Sequence, residues 1–224
     1  MALRPHSYWW TPRVGCYDTP NGPAIVHLDG HLQRLLDSCK IYRIDCPYSK
    51  EQLAAACSQV VRANGLSSCY IRPMVMRGYG ATGMDGVGSP IETYVPAWEW
   101  GAYLGAEGFR DGIDCCTASY ARPAPNTFPG MAKAAGNYSN AALIKMEAQA
   151  NGYAEAIALD ASTGMVSEGS GQNIFVVKVF ESLTAMLFSA HPQAFSSRAI
   201  AYVIGSVCIK SAVGTDAKND VCVT

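Results

Sequence analysis

A helix with both ends marked in the sequence is predicted between Ser49 and Gly65. Ser49 and Gln52 have capping-box spacing, in which each side chain bonds to the other residue's backbone N–H at a helix N-terminus. The Asn-Gly pair at the other end indicates a stop, because glycine readily adopts the left-handed conformation that ends helices. A preceding helix is predicted from Asp29, since its apolar residues share one face: Leu32, Leu35, Leu36 and Cys39.

A strand is predicted over residues 68–77, directly after the second helix. Alternation with a period of two places Tyr70 and Arg72 on the same face of this strand. Pro73 counts against a central, fully paired strand because proline has no N–H to donate. A glycine-rich loop over residues 78–88 then leads to another strand near residues 91–98.

The rest of the chain is predicted to form a second domain. Residues 101–112 form a short segment that contains several glycines, which is typical of a crossover between domains. We therefore expect a smaller N-terminal α/β domain over residues 1–104 and a larger domain over residues 105–224. The second domain is expected to contain a strand, then a helix ended by Gly152, then two strands that bracket a turn as a hairpin or meander. These elements are predicted over residues 113–120, 139–151, 154–160 and 172–178.

The composition suits a compact protein and argues against several partners. Of 224 residues, 49% are apolar and 16% charged, which is enough for a buried core. A net charge of −1 with scattered basic residues argues against nucleic acid or an acidic membrane surface as a partner. The nine cysteines are odd in number and lack metal-binding spacing, so we expect reduced, mostly buried thiols in a cytoplasmic protein, and no metal.

Two residues are candidates for chemistry, although each has an ordinary alternative. Lys133 lies among alanines and glycines after a proline-rich loop, and small neighbours let a flat ring approach an attacking amine. Glu168 is expected in a glycine-rich turn between strands, where it could face the ring nitrogen of a cofactor. Taken separately, Lys133 also suits a surface turn and Glu168 a solvated turn.

Taken together, these motifs resemble the class IV pyridoxal-phosphate aminotransferases, and the branched-chain enzymes among them most of all. The resemblance covers about residues 16–178. It rests on five phrases in the family's order: HLQRLLDSCKIYR, YIRP, WGAYLG, APNTFPGMAKAAGNY and SEGSGQNIFVVK. It implies a two-domain α and β protein with the D-amino-acid-aminotransferase-like fold, type IV among the pyridoxal-phosphate enzymes, whose second domain this chain completes only in part.

The resemblance also implies the roles of four residues around pyridoxal 5'-phosphate. Lys133 would be the Schiff-base lysine, which also moves the proton between the amino acid Cα and the cofactor. Glu168 would pair with the pyridine nitrogen, and Tyr138 would bond the phenolic oxygen. Arg34 would hold the phosphate, a task that suits a planar and always charged guanidinium.

The substrate pocket follows from the same resemblance. Tyr70 and Arg72 would reach it from the smaller domain, with Arg72 meeting the distal carboxylate of glutamate. Trp100 and Tyr103 would complete its wall, although domain-interface packing explains these two residues nearly as well. The implied reaction is transamination of leucine, isoleucine or valine with 2-oxoglutarate by a homodimer. The alternatives are a D-amino-acid aminotransferase, an aminodeoxychorismate lyase, or a non-catalytic or truncated remnant.

The two flanks of the matching segment depart from the family pattern. Residues 4–15 replace a glycine- and aromatic-rich stretch that family members carry. Residues 179–224 contain neither the Gly-Ile-Thr nor the Gly-Thr-Ala turn, whose backbone N–H groups bind the cofactor phosphate in the family. We hypothesise frame-shifted or misassembled coding flanks, which reading the neighbouring nucleotide sequence in the other frames would test. Part of the phosphate site is therefore expected to be missing.

Overall fold

The computed structural model describes residues 14–80, 84, 86–101, 105–178, 186–189, 208–210 and 220–223. The chain divides into two compact units. One takes in the described residues up to Trp100 together with Pro129–Asn137, and the other takes in Gly101–Phe128 and the described residues from Tyr138 onward. The segment with Lys133 thus belongs to the first unit, while the predicted domain boundary near residue 104 stays a prediction.

The first unit combines helices and antiparallel strands. Its helices are α1 (Leu28–Ile41) and α2 (Lys50–Ala63). Its strands are β1 (Val14–Tyr17), β2 (Ala24–Ile25), β3 (Cys69–Ile71), β4 (Met74–Arg77), β5 (Ile91–Tyr94) and β6 (Ala97–Trp98). One sheet has the order β2-β1-β3-β6, and β4 and β5 form a separate antiparallel pair.

The predicted ends of α2 are confirmed. Gln52 N–H donates to the Ser49 hydroxyl over 3.2 Å, and Ser49 N–H donates to the Gln52 side-chain oxygen over 2.8 Å, which completes the capping box. Gly65 has a φ of 62°, the left-handed conformation that the stop signal requires. The apolar face of α1 is confirmed as well, since Leu32, Leu35 and Cys39 are buried in the core of this unit.

The strand predicted over residues 68–77 is divided into β3 and β4 at Arg72-Pro73. The reason is the one anticipated for Pro73, which cannot donate to a sheet. Arg72 N–H instead donates to the Pro96 carbonyl over 2.9 Å. The predicted shared face of Tyr70 and Arg72 is confirmed, because Arg72 Nε–H donates to the Tyr70 hydroxyl over 3.0 Å.

The second unit contains the remaining helices and strands. The helices are α3 (Gly105–Asp111) and α4 (Tyr138–Ala150). The strands are β7 (Cys115–Thr117), β8 (Glu155–Leu159), β9 (Val166–Gly169), β10 (Ile174–Lys178), β11 (Met186–Ser189), β12 (Cys208–Lys210) and β13 (Asp220–Val223). One sheet has the order β7-β8-β9 and the other β11-β10-β13-β12. The core of the unit joins Ile144 and Ala148 of α4 to Ala156 and Ala158 of β8.

The predicted turn around Glu168 was wrong. Glu168 lies in β9 and pairs with Ala158 of β8, so the two strands predicted as partners, β8 and β10, are not paired with each other. The tight turn comes earlier, where the Asp160 carboxylate accepts hydrogen bonds from the N–H groups of Ser162 (3.0 Å) and Thr163 (2.9 Å). This aspartate turn closes the β8-β9 hairpin and leaves room for an extra strand before the glycines.

Candidate functional site

The backbone of Lys133 is fixed to helix α1. Lys133 N–H donates to the Ser38 hydroxyl over 3.0 Å, and that hydroxyl donates to the Arg34 carbonyl over 2.7 Å. The neighbours Ala132 and Ala134 are buried in the core of the first unit, so the lysine is anchored on both sides while its own side chain stays half-buried. The Lys133 backbone is thus fixed against α1, while its side chain is only half-buried.

Positive charge collects near Lys133. His31 and Arg34 are three residues apart on α1, the spacing that brings side chains together on one helix face. Burial lowers the pKa of His31, and electrostatic interactions with His27, Arg34 and Lys133 lower it further. The His31 imidazole therefore interacts electrostatically with both Arg34 and Lys133, the two residues of this unit that are predicted to bind the cofactor. A cluster of this kind suits a doubly charged anion such as phosphate.

Three aromatic rings and an arginine form a second group in the first unit. Tyr70 lies 4.8 Å from Trp98 and 5.4 Å from Trp100 between ring centroids, and the two tryptophans are 5.8 Å apart. The Arg72 guanidinium carbon lies 5.0 Å from the Tyr70 centroid and 5.4 Å from that of Trp98. The structure thus brings together three of the four predicted substrate residues. The fourth, Tyr103, lies outside the described residues.

Glu168 forms an ion pair with Arg122 within the second unit. The Arg122 Nε lies 3.0 Å from a Glu168 carboxylate oxygen, although its N–H does not point along that line, so the contact is electrostatic. Arg122 Nη2 donates to the carbonyls of Gly169 (2.7 Å) and Ser170 (2.8 Å). The guanidinium therefore ties together the end of β9 and the turn after it.

A buried carboxylate supports the same turn. Glu155 is fully buried and accepts hydrogen bonds from Lys145 Nζ over 3.1 Å and from Gln172 Nε2 over 3.0 Å. The Gln172 side-chain oxygen accepts a hydrogen bond from the backbone N–H of Gly171, and the Gln172 backbone carbonyl accepts one from the N–H of Gly169. The segment after Glu168 is thus held by hydrogen bonds that lead to a buried ion pair.

Tyr138 begins helix α4 in the second unit and is exposed. Lys133 and Glu168 belong to different units, so their predicted pairing across one cofactor ring stays a prediction.

Within the described residues, no three His, Cys, Asp or Glu side chains come together as metal ligands would. Burial raises the pKa of Cys39 to about 12, so this thiol next to Ser38 is protonated at neutral pH. No helix in the described part of the chain is both long and apolar enough to cross a bilayer.

Four residues of this arrangement were missed by the sequence analysis. Ser38 and His31 flank Arg34 at helical spacing, a signal that the sequence does contain. Trp98 lies two residues before the predicted Trp100, a spacing that places side chains on one face of an extended chain. Arg122 lies 46 residues before Glu168 in the chain and has no local signal, since it lies in a proline-rich loop.

Known proteins are similar to this chain in sequence and in fold over about three quarters of its length. A family model for amino-transferase class IV matches residues 19–189. The branched-chain-amino-acid aminotransferase of Escherichia coli K12 is 45% identical over 166 residues, which are 74% of this chain and 53% of that protein. The chain therefore belongs to the class IV aminotransferase family. It spans about half the length of the curated relatives it matches.

Solved structures extend this similarity to the fold. A crystal structure of the Escherichia coli branched-chain amino acid aminotransferase matches with a TM-score of 0.73 at 43% identity, over 78% of this chain and 57% of that one. The branched-chain amino acid aminotransferase of Thermobaculum terrenum, solved in its PLP-bound holo form, matches with a TM-score of 0.67 at 26% identity, over 76% and 55% of the two chains. The predicted family and fold class are confirmed.

Proposed function

We propose that this chain carries the central part of a pyridoxal-phosphate-dependent branched-chain aminotransferase, which transfers the amine of leucine, isoleucine or valine to 2-oxoglutarate. The observation that carries the proposal is the segment around Lys133. Its backbone is hydrogen-bonded to the Ser38 hydroxyl of α1, and both Lys133 and Arg34 interact electrostatically with His31 of the same helix. The relatives, named as branched-chain enzymes, supply the substrate class.

The residues present fit the cofactor. The charge of Arg34, one helical turn from His31, suits the phosphate, and the residues on either side of Lys133 are alanines, which put no bulky side chain beside a flat ring. Pyridoxal phosphate, when bound, supplies the electron sink for the bond that breaks at the amino acid Cα. Lys133 would bond the cofactor covalently through Nζ and move the proton to and from Cα, the work of a positioned general base.

The other assigned residues would orient the cofactor and the substrates. Tyr138 would donate a hydrogen bond to the phenolic oxygen of the cofactor, and Glu168 would accept one from the protonated ring nitrogen, which keeps the ring protonated. Tyr70 and Trp100 offer apolar ring faces to a branched side chain, while Arg72 would meet the distal carboxylate of glutamate. These roles follow the family resemblance residue by residue. A homodimer in the cytoplasm belongs to the same proposal.

The proposal is tested with purified protein and added pyridoxal phosphate. Leucine and 2-oxoglutarate should yield glutamate and a branched 2-oxo acid, and the protein should gain a visible absorbance band. Lys133→Ala should abolish both. Lys40→Ala is the matched control, because the Lys40 side chain is 75% exposed at the end of α1 and its variant should retain activity. Glutamate formation by Lys133→Ala at the wild-type rate would contradict the proposal.

A second candidate function is a non-catalytic remnant that keeps the fold. It is favoured by the absence from residues 179–224 of the Gly-Ile-Thr and Gly-Thr-Ala sequences that bind phosphate in the family. The remnant would show no glutamate formation and no absorbance band even in the wild-type protein. The same assay therefore distinguishes the two candidates.

A further inference from the structure

Trp98 is the member of the aromatic group that no predicted role uses. It ends β6, where it pairs directly with Tyr70 of β3 in antiparallel register. Its ring lies 4.8 Å from that of Tyr70 at an angle of 54°, a tilted contact that is favourable between aromatic rings. Directly opposite residues in a sheet are held at a fixed separation by the backbone. The position of Trp98 relative to Tyr70 is thus set by the sheet.

Arg72 is held in place by several contacts, which include both rings of this pair. Its backbone N–H donates to the Pro96 carbonyl over 2.9 Å, and its Nε–H donates to the Tyr70 hydroxyl over 3.0 Å. The guanidinium carbon lies 5.4 Å from the Trp98 centroid, within the range of a cation–π contact. The next residue, Pro73, is fully buried and limits backbone movement there. The arginine side chain therefore has a defined direction.

The two terminal nitrogens of Arg72 form no hydrogen bond to any residue in the described part of the chain. They are the fork of donors that pairs with a carboxylate through two parallel hydrogen bonds. An arginine whose stem and Nε are already fixed loses less side-chain freedom when such a ligand binds. The group is therefore organised for a carboxylate before the ligand arrives.

We infer that Trp98 is a positioning residue for Arg72 and thereby determines the preference of the site for dicarboxylates over monocarboxylates. The inference rests on the proposed function, in which Arg72 meets the distal carboxylate of the amino acceptor. Trp98 contributes its π face and not a hydrogen bond, so another aromatic residue can replace it. An aliphatic residue of similar bulk cannot, because it has no negative ring face for the guanidinium.

Binding calorimetry with two unreactive ligands tests this role in the whole protein, with added pyridoxal phosphate. Glutarate presents a distal carboxylate, and 4-methylvaleric acid presents a branched apolar tail instead. Trp98→Leu should weaken glutarate binding about threefold to tenfold, the range of a partly buried cation–π contact. It should change the affinity for 4-methylvaleric acid less than about twofold. Trp98→Phe should bind both ligands nearly as the wild type does.

Tyr94→Leu serves as the control, since Tyr94 is an exposed aromatic residue on β5 in the same unit and should affect neither ligand. The inference is overturned if Trp98→Leu leaves glutarate binding unchanged or weakens both ligands equally. Absence of glutarate binding by the wild type would also overturn it. If glutarate binding depends on Trp98 but no transamination occurs, the inference stands and the proposed function fails. If transamination occurs but Trp98→Leu leaves glutarate binding unchanged, the proposed function stands and the inference fails.

Discussion

Replacing Ser38 by alanine should loosen the attachment of Lys133 without touching the lysine itself. The Ser38 hydroxyl joins two segments that are 95 residues apart in the chain, and the side chain is only 1% exposed. In Ser38→Ala the Lys133 amide loses its hydroxyl acceptor in a place that water reaches poorly. The Arg34 carbonyl loses less, because a carbonyl inside a helix keeps its helical partner.

The expected cost follows from these contacts. Removing the acceptor of a buried donor costs about 1–3 kcal/mol, and alanine recovers roughly 0.5 kcal/mol over serine inside a helix. The free energy of unfolding should therefore fall by about 0.5–2.5 kcal/mol, which corresponds to a decrease of roughly 1–10 °C in Tm for a chain of this length. Thermal unfolding followed by circular dichroism measures the change directly.

Ser58→Ala is the matched control for this prediction. Ser58 lies inside α2, is half-buried, and makes no side-chain hydrogen bond to a described residue. The same chemical change there should leave Tm unchanged or raise it slightly, because only the helix propensity changes. Equal Tm values for the Ser38→Ala and Ser58→Ala proteins would refute the reasoning.

Two further predictions concern the second unit. Glu155→Gln should lower the free energy of unfolding by about 3 kcal/mol in urea titrations, the lower end of the range for breaking a buried ion pair, because Lys145 keeps 20% exposure. Adding Lys145→Met should recover part of the loss, and a further loss would contradict the assignment. Arg122→Lys should reduce kcat roughly tenfold with little change in KM for leucine, because a compact ammonium lacks the planar fork that faces Glu168 through Nε and two carbonyls through Nη2. Wild-type kinetics in this variant would argue against a positioning role.

Local signals predicted the elements of the first unit well. The capping box at Ser49 and the glycine at position 65 each act within a few residues, so the sequence contains the whole interaction that ends the helix. Pro73 likewise divides its strand through its own missing donor. The alternation that placed Tyr70 and Arg72 together is also local, because a strand fixes the direction of every second side chain.

The parts that were not predicted depend on distant residues. The bond from Ser38 to Lys133 requires the loop before Lys133 to pack on α1, and no pattern around either residue encodes that packing. The contact of Arg122 with Glu168 likewise depends on packing between distant segments, because Arg122 lies in the proline-rich loop and Glu168 lies in β9. The misplaced turn at Glu168 has a different origin. The turn was predicted from the glycines that follow Glu168, whereas the chain turns at Asp160. An aspartate with Ser, Thr and Gly among the next four residues is itself a turn signal.

Covalent labelling of Lys133 tests the central claim most directly. The whole protein is incubated with pyridoxal phosphate, treated with borohydride to make any bond to a lysine amine permanent, and digested for peptide mass spectrometry. The cofactor is predicted on the peptide that contains Lys133, at near-stoichiometric level, and it should be absent from that peptide in Lys133→Ala. Labelling spread over exposed lysines such as Lys40, with none enriched at Lys133, would contradict the account.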